Sequence, residues 1–137
     1  MNLGNKSLVK AHIDLSWNKG KFNLSQKMVD KKFRYQETFK DGFRNIEGYV
    51  AYVAYVEKIR RAVPDLEVTV EEIMAEGNKV MTFSTVFGSF NHRLFDTPPN
   101  GKIIVLSVAS VWSVHLGKII EQTTMIDLLD LQRQLNA

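Results

Sequence analysis

Three features of the sequence predict an α+β fold: amphipathic helical segments in its front and middle, alternating β segments behind them, and a well-marked hairpin near its end. The 137 residues suit one domain spanning 1–137, and a hydrophobic fraction of 45% is enough to fill a single core. The architecture expected is a cone: a curved antiparallel sheet wrapped around one long helix, with N-terminal helices closing a cavity.

Each element has its own signal. From Ser7 to Trp17 the apolar residues Leu8, Val9, Ile13, Leu15 and Trp17 fall mostly three or four apart, which predicts an amphipathic helix stopped by Asn18-Lys19-Gly20. Asn23-Leu24-Ser25-Gln26 has the form of a capping box with Asn23 as N-cap, opening a short helix through Met28 and Val29. A brief strand is expected around Phe33 and Tyr35, followed by a loop over 37–45 in which Asp41-Gly42 signals a turn. A long helix runs from Glu47 to Val63, its stripe made by Ile46, Tyr49, Val53, Val56 and Val63 with Tyr52 and Ile59 beside it, and Pro64-Asp65 ends it.

Leu66 to Ile73 alternates as a strand, and Glu76-Gly77-Asn78 turns the chain into a second, Lys79 to Phe90. There Met81, Phe83, Thr85 and Phe87 share one face, and Val80, Thr82, Ser84 and Val86 the other. Neither face is charged, so both are expected to be covered, one by the long helix and the other by a second subunit. Lys102–Val114 and Lys118–Ile126 then form the hairpin, and a helix follows at Asp127, whose carboxylate is read as a cap. With a three-residue loop, Leu116-Gly117-Lys118, Ser110 sits opposite Thr124 and Trp112 opposite Gln122. One face of the hairpin then presents Trp112, Ser110, Gln122 and Thr124 among Val108, Ile120 and Ile126. A few hydroxyls and an amide on an apolar wall are what a small-molecule pocket uses to orient a ligand.

Composition narrows the function. The formal net charge is only +3, with basic and acidic residues interleaved, and no basic face with aromatic platforms is written as a nucleic-acid binder would need. There is no cysteine, so neither disulfides nor thiolate metal sites exist. His12, His92 and His115 lie far apart without carboxylates at ligand spacing, so no metal is assigned; His115 is read as a solvated turn residue and His12 as a partly buried imidazole on the first helix. No apolar run reaches membrane-span length, and MNLGNKSLVKAHID has no apolar signal core, so the expectation is a soluble cytoplasmic protein.

Several stretches, in order over the last three-quarters of the chain, carry a family resemblance: Val63-Pro64-Asp65-Leu66, Ile73 to Val80, Pro98-Pro99-Asn100-Gly101-Lys102, Gly117 to Glu121, and Asp127-Leu128-Leu129 through Arg133-Gln134-Leu135. Together they resemble the SnoaL-like polyketide cyclases (ester cyclases) of the nuclear transport factor 2-like superfamily, a cystatin-like cone fold. The resemblance implies a homodimer, an apolar cavity for a small organic molecule, and ring closure by an intramolecular aldol reaction with no metal or organic cofactor. It also implies a His on the penultimate strand and an Asp on the last strand for proton transfer, and their places here are Ser110 and Thr124. The position before that Asp, often Trp, is Thr123. The family's Gly-Thr-His-Thr-Gly segment reads Gly88-Ser89-Phe90-Asn91-His92, its histidine replaced by Phe90.

Ser and Thr have no pKa suited to shuttling protons near neutrality. Three readings follow. One is a ligand-binding relative whose pocket is formed by Tyr35, Tyr52, Ser110, Trp112, Gln122 and Thr124. Another is a cofactor-free cyclase or isomerase whose acid or base is reassigned to a residue such as Tyr35, Tyr52 or His12. The third is a dimeric interaction module without a small ligand.

Overall fold

A computed structural model describes residues 2–39, 42–93 and 98–136. The chain runs α1 (Asn2–Ile13), α2 (Phe22–Ser25), β1 (Val29–Phe39), β2 (Gly42–Glu47), α3 (Tyr49–Ala62), β3 (Glu67–Glu76), β4 (Lys79–Ser89), β5 (Ile103–His115), β6 (Lys118–Ile126) and α4 (Leu128–Asn136). Among the described residues the strands form one six-stranded sheet in the order β2-β1-β6-β5-β4-β3, antiparallel except for the parallel pair β1–β6. Helix α3 lies on its inner face, where Tyr49, Tyr52 and Val56 join Phe33, Trp112 and Ile119 in the main buried core. Alternation decides which residues face inward: on β4, Val80, Thr82 and Ser84 are buried while Met81 and Phe83 are exposed.

Several elements differ from their sequence expectations. The first helix begins earlier, at Asn2, and continues past Ile13 as a π-helical turn over Asp14–Asn18. That turn aims Asn18 at β3, where its side chain exchanges hydrogen bonds with the backbone N–H (2.7 Å) and carbonyl (3.1 Å) of Val68. Asn23 is not a cap: Lys21 precedes the helix and Asn23 lies inside it, exposed. Gln26–Met28 is a 3₁₀ turn, and Val29 already belongs to β1.

The expected loop over 37–45 is largely strand. Residues 34–39 pair with 42–47 in a hairpin, and Asp41 lies outside the described residues. Glu47 consequently ends β2, and Gly48 turns the chain at a φ of 88°, a left-handed conformation suited to glycine, so α3 starts at Tyr49.

The β5–β6 hairpin has the expected pairing of Ser110 with Thr124 and Trp112 with Gln122, by a different route. The connection is the two-residue turn Leu116-Gly117, with φ of 50° and 76°, as a type I′ turn requires. A bulge between Ser113 and Val114 on the ladder restores the register by leaving Ile120 over. Ile119, rather than Ile120, is therefore the fully buried residue of that pair. Asp127 caps α4, accepting the backbone N–H of Asp130 at 3.0 Å. Gln134 then clamps the helix to β5, exchanging bonds with Val105 N–H (2.8 Å) and C=O (2.7 Å).

Candidate functional site

Between the sheet, α3 and α4 lies a cavity of about 290 Å³. Its wall is mostly apolar, built from residues such as Leu66, Val86, Leu106, Val108 and Ile126, with Ile13 and Trp17 from the N-terminal helical segment. Leu131, Gln132 and Leu135 of α4 also line it, so the C-terminal helix shares the closure expected of the N-terminal helices alone.

Polar groups enter this wall in two clusters. The first sits where β5 meets β6: Ser110 Oγ and Thr124 Oγ1 are 2.8 Å apart, and the Gln122 amide nitrogen donates to Thr124 (2.8 Å) and Ser110 (3.3 Å). All three side chains are buried, and Gln122 Oε1 has no partner among the described residues. A buried carbonyl oxygen without a donor costs about 1–3 kcal/mol. Trp112 offers the cavity its ring, since its indole N–H is taken by Thr82 Oγ1 at 2.9 Å.

The second cluster centres on Glu37, which is only 4% exposed. The Tyr35 hydroxyl donates to Glu37 Oε2 at 2.8 Å, and the Tyr55 hydroxyl donates to the same oxygen. The Arg44 guanidinium lies 3.2 Å from Oε1 and also donates to the Tyr55 oxygen at 2.8 Å. Burial, reinforced by the neighbouring carboxylate, pushes both tyrosine hydroxyls above their ordinary range, so both stay protonated donors at neutral pH. The two clusters are contiguous: Tyr35 pairs with Gln122 and Glu37 with Thr124 across β1 and β6.

Of the six pocket residues named from sequence, Tyr35, Ser110, Trp112, Gln122 and Thr124 line this cavity. Tyr52 stands behind the wall, fully buried, its oxygen accepting the Trp17 indole N–H at 2.9 Å. His12 is beside it, stacked on Tyr52 and edge-on to Trp112, with Nε2 3.5 Å from the Tyr52 hydroxyl and Nδ1 unpartnered. Complete burial depresses its pKa to about 4, so the imidazole is neutral at neutral pH. His92 and His115 are exposed, and Phe90 is buried in the wall. Sequence reasoning missed Glu37 and Arg44 because both fell in the expected loop. The available signal was the continued alternation Phe33, Tyr35, Glu37 on one face.

Among the described residues no group of three or more His, Asp or Glu gathers as a metal site, and no helix is long and apolar enough to cross a membrane.

The sequence pattern of the SnoaL-like polyketide cyclases matches residues 7–135. A comparison with curated proteins gives no match. Among solved structures, a protein designated a SnoaL-like polyketide cyclase from Jannaschia sp. CCS1 superposes with a TM-score of 0.87 at 23% identity, covering 98% of this chain and 93% of its own. AclR from Streptomyces galilaeus, designated a hydroxylase, gives 0.79 at 20% identity over 96% and 95% of the two chains. An LEH-like epoxide hydrolase from M. tuberculosis gives 0.76 at 19% over 98% and 90%. At these identities the likeness is one of fold.

Proposed function

Because this chain belongs to the SnoaL-like polyketide cyclase family, we propose that its cavity holds a small, mainly apolar organic molecule, polyketide-like or aromatic, with Ser110 and Thr124 standing where the family's usual His and Asp would transfer protons. The observation that carries this reading is the unpartnered Gln122 Oε1 in an otherwise apolar wall. It calls for a donor, so the ligand presents a hydroxyl to Gln122 and lays its rings against Trp112. A cavity of about 290 Å³ suits two or three fused rings.

A second reading, a cofactor-free cyclase or isomerase with a reassigned acid or base, is favoured by the carboxylate of Glu37 in the same wall. In either case the working unit is read as a homodimer. Met74, Met81, Phe83, Val111 and Met125 are exposed on the outer sheet face, an apolar patch that a second copy would cover.

The test is tryptophan fluorescence titrated with 2-naphthol, polycyclic aromatic ketones, β-keto esters and fatty acids, repeated on Trp112→Phe. Saturable quenching in the wild type that falls in the variant to the part carried by Trp17, the other tryptophan of the wall, supports the reading. A panel with no response, from a protein that is folded and dimeric, refutes it and favours an interaction module without a small ligand.

A further inference from the structure

We propose that Glu37 is the proton-transferring base of this cavity and that its substrates are ketones with an acidic α C–H, which it isomerises through an enolate. The proposal rests on the reading that the cavity holds a small organic molecule.

The other polar groups of the cavity cannot take a proton from carbon. Ser110, Thr124 and Gln122 hydrogen-bond to one another and have no basic atom near neutrality. His12 and Tyr52 lie behind the wall. Glu37 is the carboxylate in the cavity lining, and it is placed there at a cost: its side chain is almost wholly buried while Arg44 stays partly exposed, and a carboxylate taken out of water is only partly repaid by its partners.

Its hydrogen bonds leave room for chemistry. A carboxylate has about four acceptor positions, and Tyr35, Tyr55 and Arg44 occupy three. Among the described residues no further donor takes the remaining one, which is left for a proton. Strands in a sheet lie about 5 Å apart, and Glu37, Thr124 and Ser110 are successive partners across β1, β6 and β5. A ring seated against Trp112 with its hydroxyl on Gln122 therefore spans the floor between the polar row and the carboxylate.

The step balances without a co-reactant. Glu37 takes the α proton: the C–H bond breaks, an O–H bond forms on the carboxyl, and the electron pair moves into the new C=C while the carbonyl oxygen becomes an enolate oxygen. Protonation removes the negative charge that held the Tyr35 and Tyr55 hydroxyls, which turn toward the enolate oxygen and stabilise it. The same proton then returns to a different carbon of the conjugated system. Arg44, which pairs with Glu37 and contacts Tyr55, positions both.

Exchange of the α protons of 2-tetralone in D₂O, followed by NMR, tests this directly. Wild-type protein is expected to accelerate the exchange with saturation, and Glu37→Gln to lose roughly 100-fold or more of it while 2-naphthol quenches its tryptophan fluorescence as in the wild type. If circular dichroism shows that Glu37→Gln does not fold, Glu37→Asp, which keeps the charge opposite Arg44 but withdraws it by one methylene, is expected to fold and lose at least about tenfold. Exchange at the wild-type rate in the folded variant overturns the proposal. Quenching by 2-naphthol and 2-tetralone without accelerated exchange in the wild type also overturns it but leaves the binding reading standing. Absence of any binding defeats both.

Discussion

Acidification from pH 7 to pH 4 removes a definite amount of stability through His12. The imidazole is fully buried among Tyr52, Phe33 and Trp112, and burial lowers its pKa from 6.5 to about 4. Above pH 6.5 neither the folded nor the unfolded chain protonates it, and its stabilising contribution is complete. Between 6.5 and about 4 the unfolded chain binds a proton that the folded chain refuses, so stability falls as pH falls, by about 1.4 kcal/mol per unit. Below about pH 4 both states are protonated and this loss stops. The window spans roughly 2.5 units, worth about 3 kcal/mol, a sizeable share of the stability of an ordinary domain. The assay is urea unfolding of wild type and His12→Gln at closely spaced pH values. Carboxylates held below their ordinary range, such as Asp14 beside Lys19 and Asp65 beneath Ser89, titrate in both proteins and cancel in the difference. The wild-type curve should fall below the variant's by about 3 kcal/mol more at pH 4 than at pH 7. Parallel curves would mean that His12 is solvated or charged in the folded state and would refute the burial argument.

Leu116 holds a φ of 50° at a fully open turn, a conformation that costs a branched side chain about 1 kcal/mol, so Leu116→Asn should raise the unfolding free energy read from urea titration by roughly that amount. Thr124→Val keeps the shape of the side chain but deprives Ser110 Oγ and Gln122 Nε2 of their shared partner, and should cost about 1–3 kcal/mol in the same assay. Met81 and Phe83 face outward on β4, and the double change Met81→Asp with Phe83→Asp should convert a dimer to a monomer in sedimentation velocity without loss of 2-naphthol binding; a variant that still sediments as the wild type places the interface elsewhere.

Periodicity made the cone legible where alternation was uninterrupted. The two faces of β4 and the Ser110–Thr124 pairing both follow from a strict period of two, and Asp127 was readable as a cap from the leucines behind it. Where backbone geometry departs from the regular periods, side-chain pattern carries no record of it. The π-helical turn at Asp14–Asn18 and the bulge at Ile120 both insert residues without a compositional mark. Two such departures offset each other in the hairpin: a turn one residue shorter than expected and one bulged residue leave the register of the polar row unchanged. The principal feature of the cavity that sequence reasoning missed, Glu37 with Arg44, was hidden by its own polarity. Charged residues beside a turn signal read as a loop, whereas here they are inward-facing strand residues held by one another and by two tyrosines.

The most direct test of the account is a crystal structure of the protein soaked with 2-naphthol. The two rings are expected in the cavity against Trp112 with the hydroxyl about 3 Å from Gln122 Oε1, supplying the missing donor. An empty cavity at saturating ligand, or naphthol bound on the outer sheet face while Gln122 Oε1 is satisfied by protein groups alone, would contradict it.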